Sequence, residues 1–167
     1  MKISMYALSH DVFKKALTQL LTVMEKGVAN AKARNFDTGV LVAARLAPDM
    51  LPLVAQIQRA SDTAKLSAAR LAGIEAPRFE DKEASFDELK ARIAKTLDFL
   101  KTVAPAALDG SEDRDVKFMS SGRERIMKGA DHLRFYVLPN FLFHDTTAYN
   151  ILRHNGVEIG KRDFLNP

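Results

Sequence analysis

The stretch Ser85-Phe-Asp-Glu-Leu-Lys-Ala-Arg-Ile-Ala-Lys-Thr-Leu-Asp-Phe-Leu-Lys-Thr-Val-Ala-Pro105 carries the signals of a complete helix. Ser85 and Glu88 have the spacing of a capping box, in which each side chain satisfies the other residue's free backbone N–H. Phe86, Leu89, Ile93, Leu97, Leu100 and Val103 recur at steps of three and four, the period of one apolar helix face. Pro105 disfavours helix at the residue before it and marks the end. A stripe of that width must be buried against something, and the chain offers three more like it.

Upstream, Phe13, Ala16, Leu17, Leu20, Met24, Val28 and Ala31 form one stripe over about residues 9–34. Asp11 suits its first turn by charge. Met50, Leu53, Ile57, Ala60, Ala64, Ala68 and Leu71 form another over about 48–72, with Pro48 tolerable in a first turn and Gly73 as the stop. Downstream, Val137, Phe141, His144, Ala148 and Leu152 share a face over about 130–155. Pro139 predicts a kink or a helix start inside that span. Between the third and fourth helices the helical period fails. Val116–Met119, Ser120-Ser-Gly122 and Arg123–Met127 read as two short strands and a turn. The polar stretch 74–84, with Pro77, reads as a loop. The expected fold is all-α: an antiparallel four-helix bundle with a small β-hairpin between helices 3 and 4, in a single domain over residues 1–167.

Composition narrows the function by exclusion. The 167 residues include no cysteine, which removes disulfides, thiolate metal sites and cysteine nucleophiles. No apolar run approaches the ~18 residues of a membrane span, and the N-terminus shows no apolar signal region. A cytoplasmic protein without membrane association is expected. The net charge is +4, and the first 35 residues, with six Lys/Arg against two Asp/Glu, carry that whole excess. Yet Lys14, Lys15, Lys26, Lys32 and Arg34 point in scattered directions around a helix, and no aromatic residues interleave with them for stacking. Nucleic-acid binding is not expected.

No phosphate loop, dinucleotide fingerprint, metalloprotease pair or nucleophile elbow occurs. No two of His10, His132, His144 and His154 stand four apart. His144 lies in the middle of an apolar face, where an imidazole needs a partner, and reads as a metal ligand, a general base or a hydrogen-bonded core residue. His132 and His154 are expected on the opposite side of that helix. On the second helix Asp49, Gln56 and Thr63 are spaced by seven, and on the fourth Asn140 and Thr147 flank His144. Two such lines meeting make either a polar pocket between helices or hydrogen bonds that fix packing register. Arg45 is placed to bind an anion or to pair with Asp49.

The stretches Leu41-Val-Ala-Ala-Arg-Leu-Ala-Pro-Asp-Met50 and Pro139-Asn-Phe-Leu-Phe-His-Asp-Thr-Thr-Ala-Tyr-Asn-Ile-Leu-Arg-His-Asn-Gly156 resemble a bacterial family of unknown function. So does Val157-Glu-Ile-Gly-Lys-Arg-Asp-Phe164. That family is similar to the DinB/YfiT-like superfamily, and the resemblance covers nearly the whole chain. It implies a four-helix bundle and a site between helices. Relatives include metal-dependent hydrolases and thiol-dependent transferases. Their metal motif, one His on the second helix and an H-x-x-x-H pair on a later one, is matched here by His144 alone. Ala148 stands four residues on, and Gln56 and Gln58 stand where the second helix would carry histidine.

The expected function is a small-molecule-binding or structural bundle with a polar pocket at His144, Gln56, Asp49, Asn140, Thr147 and Arg45. No metal and no cofactor are expected. The alternative is a metal- or thiol-dependent transferase or hydrolase using the same cavity. Phe135, Tyr136 and Phe143 point away from the core face of the fourth helix, with only Phe118 and Met127 of the hairpin and Phe164 and Leu165 of the tail to cover them. A homodimer is therefore expected near that helix.

Overall fold

Four long helices bury the stripes read above. In the computed structural model, which describes residues 4–165, they are α1 (Val12–Ala33), α3 (Leu53–Ala72), α4 (Phe86–Thr102) and α7 (Leu138–His154). Short helices stand between and after them: α2 (Gly39–Ala43), α5 (Pro105–Leu108), α6 (Gly129–Asp131) and α8 (Lys161–Leu165). Strands β1 (Asp115–Ser120) and β2 (Arg123–Lys128) pair antiparallel, Asp115 opposite Lys128 and Ser120 opposite Arg123. Ser121 and Gly122 both take left-handed φ, 52° and 73°, which gives a two-residue turn whose twist matches the strands. Among the described residues no helix is long and apolar enough to cross a membrane.

The third helix follows its sequence signals closely. Ser85 Oγ accepts from the Glu88 N–H and the Glu88 carboxylate accepts from the Ser85 N–H, closing the capping box. The second begins later than its pattern suggested. Pro52 stands just outside it in extended backbone, and Gly73 ends it at φ 71°. Asp49 is thus in the loop before α3, not on the helix.

The expected antiparallel bundle is corrected by the contacts along each helix pair. α7 runs parallel to α1: Phe141 packs on Phe13, with ring centres 5.0 Å apart, while Leu152 lies against Gly27, where an added Cβ would come within 3.2 Å of it. α7 runs antiparallel to α3, as Gln56 meets His144 and Thr63 meets Asn140. α3 in turn runs parallel to α4, since Gln58, Ser61 and Leu71 meet Glu83, Thr96 and Arg114 in that order. Hence α1 and α7 point one way, α3 and α4 the other. The 73–85 link makes this possible. Extended, it spans about 40 Å, against a length of roughly 30 Å for the 20 residues of α3, so the chain can return to the end where α3 began.

The fourth helical span is helical throughout from Gly129 to His154, with no new start at Pro139. A π-helical turn, His132–Val137, precedes α7, and Pro139 sits in the first turn of α7. A second π turn, Ala7–Asp11, leads into α1. The π turn at 132–137 inserts an extra residue per turn, so directions counted back from α7 fail upstream of it. His132 shows the error. Expected on the outer side with His154, it is 0% exposed beneath the hairpin, its ring centre 4.5 Å from that of Phe118.

The tail docks in part. Phe164 meets Tyr149 edge-on at 5.5 Å, and the Gln19 amide donates to the Leu165 carbonyl. The hairpin covers Tyr136 through Phe118, 4.6 Å between ring centres. Phe135 and Phe143 remain 63% and 55% exposed.

Candidate functional site

The seam between α3 and α7 brings together three of the six expected site residues in direct polar contact or beside it. His144 lies 2.7 Å from Gln56 through its Nδ1. The Gln56 amide donates in turn to the Leu51 carbonyl at 3.0 Å, which turns its Oε1 toward the ring. An amide oxygen can only accept, so Nδ1 carries the proton and Nε2 the lone pair. Burial, then the neighbouring Arg59 charge, hold the His144 pKa below its ordinary value, so the ring is neutral at pH 7. One turn along, Asn140 donates to Thr63 Oγ1 at 2.8 Å, and Thr63 donates to the Arg59 carbonyl at 2.7 Å.

The other three expected residues stand apart. Thr147 is buried but spends its hydroxyl on the Phe143 carbonyl of its own helix, at 2.6 Å. Arg45 is exposed and donates to the Pro48 and Met50 carbonyls of its own loop, so it does not pair with Asp49. Asp49 is exposed in that loop, and the seven-residue spacing that linked it to Gln56 has no helix beneath it.

A cavity of about 160 Å³ lies along the seam, lined by Thr63, Leu66 and Arg70 of α3, Asn140 of α7, and Tyr136 and Met119 among others. His144 and Gln56 are not in its lining. Asn140 is the one expected site residue in this cavity's wall, one helical turn from His144. A wider, open depression of about 410 Å³ over α4 is edged by Arg78, Lys82, Lys95, Glu80 and Glu88. Its lining includes the buried Arg92, whose Nη1 is already taken by Glu83 and by the Glu80 carbonyl, so that buried charge is matched within the protein.

The residues at His144 do not fit the superfamily's metal centre. Nδ1 is taken by a neutral amide, Ala148 occupies the next turn, and among the described residues no group of three or more His, Cys, Asp or Glu converges on a point. A carboxamide is a poor substitute for imidazole toward a transition metal.

Several polar residues lie in the interior; the helical period placed Asp145 partly inward and missed Arg92, Lys65 and the burial of His132. Arg92, 2% exposed, lies on the α4 face that meets α3. Its Nη2 lies 2.9 Å from Asp62 and 3.0 Å from Asp81, ion pairs in distance rather than well-directed hydrogen bonds. Its Nη1 reaches Glu83 at 3.0 Å, and Nε donates to Ser61 at 3.3 Å. Lys65, also buried, pairs with Asp62 at 2.9 Å and lies 3.8 Å over the Phe79 ring. Asp145, 4% exposed, stands one turn from Phe141 on the side of α7 that faces α1. Burial pushes its carboxyl up to about 7. His132, with neither ring nitrogen hydrogen-bonded among the described residues, is pushed down to about 4 by burial and by Arg70.

Comparison with known proteins agrees with this geometry. A DinB family member protein from Shewanella denitrificans, known from its crystal structure, superposes with a TM-score of 0.88 at 37% identity, over 96% of this chain and 90% of that one. No curated protein matches. Residues 5–165 match the family described as a domain of unknown function, DUF1993, and the chain belongs to that family.

Proposed function

We propose that this DinB-like bundle of four long helices binds a small polar molecule in the seam between α3 and α7. The observation that carries the reading is the cavity of about 160 Å³ with Thr63 and Asn140 in its wall. Pockets between helices of a bundle, mostly apolar with a few convergent polar groups, are the usual setting for such a ligand. The His144–Gln56 pair next to it fixes the register of the two helices that form the wall. Asn140→Leu tests the reading by filling the space. Small polar molecules that raise the melting temperature of the native protein should lose that effect in the variant, with circular dichroism to show that it folds. A broad panel with no such molecule overturns the reading.

A second reading, a transferase or hydrolase working at the same seam, draws on the His144 tautomer. A neutral ring whose Nδ1–H is held by an amide presents Nε2 as a base. One zinc, nickel or iron per chain in protein purified without an affinity tag, lost in His144→Ala, would favour it.

Phe135 and Phe143, with the half-exposed Leu142, support a homodimer through the outer side of α7. Sedimentation at micromolar concentration should give twice 18.6 kDa, and Phe143→Ser should give the monomer.

A further inference from the structure

The cavity wall also indicates what kind of molecule fits. Positions 59, 63, 66 and 70 advance along α3 by four, three and four, so one continuous stripe of that helix lines the space. Arg70 closes one end. Its guanidinium is half buried, and burial holds its pKa below the usual arginine value. Among the described residues it makes no ion pair with any carboxylate, and its guanidinium carbon lies 5.9 Å from the Phe118 ring centre. Arg92, on the opposite side of α3, has three carboxylates within 3.0 Å. A partly desolvated guanidinium without a counter-ion carries a cost, and a bound anion would reduce it.

The remaining wall sorts by chemistry. Asp62 is the one acid in the lining, and Lys65 and Arg92 already neutralise it, each at 2.9 Å. Tyr136 and Asn140 stand one turn apart and offer a hydroxyl and an amide. Leu66, Val137 and Met119 supply apolar surface. Behind Tyr136 lies the His132 ring, stacked at 5.7 Å, neutral and unpartnered, which adds no competing positive charge. At about 30 Å³ per water, the volume holds about five water-sized atoms.

We propose that this cavity binds a short-chain carboxylate of about five to seven non-hydrogen atoms. Its carboxylate lies on the planar fork of Arg70, its chain between Leu66 and Val137, and any oxygen substituent on Asn140 or Tyr136. The planar fork favours a carboxylate by accepting both of its oxygens at once. The proposal rests on the small-molecule reading above and adds the charge and size of the ligand.

The test uses the whole protein and titrates it with propionate, butyrate, propionamide and inorganic phosphate at constant ionic strength. The readout is the chemical shift of the Asn140 side-chain amide and the Arg70 Nε–H. Propionate or butyrate should saturate both shifts, and propionamide should bind at least about tenfold more weakly. Arg70→Gln, which keeps most of the stem and removes the charge, should weaken propionate by a similar factor. Arg70→Lys, which keeps the charge and loses the fork, should fall between. Propionamide binding as well as propionate overturns the carboxylate assignment and leaves the small-molecule reading standing. Phosphate binding more tightly than either acid, in an Arg70-dependent way, overturns it in favour of an inorganic oxyanion. No shift at Asn140 with any of the four overturns it outright. If a wider panel of polar molecules still stabilises the protein, only the assignment of ligand class is lost.

Discussion

On its α4 side, α3 meets the Arg92 guanidinium, which with the helix's own Lys65 draws in three carboxylates, two of them from the 73–85 link. On its α7 side it presents Arg70 without a carboxylate, faces a cavity, and approaches His132, whose nitrogens have no partner. The same helix therefore borders one region where charge is matched and one where it is left open. The matched side ties the crossover link to the bundle, because Asp81, Glu83 and the Glu80 carbonyl all belong to that link. The open side does no such work, and its vacant hydrogen-bonding capacity is what a ligand would use.

The largest effect should come from breaking the matched side. Arg92→Ala leaves Asp62 and Glu83 facing each other without their common cation. Urea unfolding should show a loss of about 3 kcal/mol, the low end for disrupting a buried ion pair, because both carboxylates keep some contact with water. A loss under about 0.5 kcal/mol would show that the cluster behaves as a surface pair.

The unmatched groups should respond in the opposite direction. Asp145 is raised from 3.8 to about 7, and at 1.36 kcal/mol per pH unit that shift sets a ceiling of about 4 kcal/mol on the penalty for ionising it. The folded state holds its proton more tightly than the unfolded chain, so this residue lowers stability as pH rises from about 4 to 7. Asp145→Asn should stabilise the protein at pH 8 by about 2 kcal/mol, less than the ceiling because the amide also needs partners.

His132 works with the reverse sign over nearly the same range. Its folded pKa of about 4 lies below the unfolded 6.5, so it lowers stability as pH falls from 6.5 to 4. The two slopes offset each other, and the contribution of this pair to the pH profile of the native protein should be nearly flat between pH 4 and 7. Asp145→Asn should expose a profile that falls toward acid, and His132→Phe one that rises toward acid. At pH 7, His132→Phe should stabilise by about 1 kcal/mol, since the ring stays between Phe118 and Tyr136 without unpaired nitrogens. An effect of similar size and opposite sign is expected at Ser61–Thr96, 2.7 Å apart. Thr96→Val should cost about 1 kcal/mol by chemical unfolding, because Arg92 still donates to Ser61.

What the sequence made legible and what it hid follow from the same physics. Apolar stripes, the Ser85–Glu88 box and the Ser120-Ser-Gly122 turn are local patterns, and they appear where they were read apart from the later start of α3. The seven-residue spacing of Gln56 and Thr63, met by Asn140 and His144, also survives, since both helices keep their period there. Arg92 and Lys65 were hidden because their partners come largely from a link with no period, and a charged residue beside an apolar stripe otherwise reads as solvent-facing. His132 was hidden by the π turn. Arg70 went unnoticed, and Tyr136 was read only as an outward aromatic, because their meeting depends on where the hairpin lies. The parallel course of α3 and α4 depends on how the link is laid down, which residue types alone do not encode.

The side-by-side, same-direction course of α1 and α7 bears on how the molecule is made. Asn30 and Gly156, joined by a hydrogen bond, are 126 positions apart in the chain. Helical proteins whose contacts are local fold within microseconds to milliseconds, and rates fall as contacting residues become more distant in sequence. During synthesis, α1 emerges first, meets Phe86 of α4 at Gly27, and must wait for nearly the entire remainder before α7 arrives. Phe13 lacks its Phe141 partner until then, and a nascent chain stopped before residue 138 should be a substrate for chaperones.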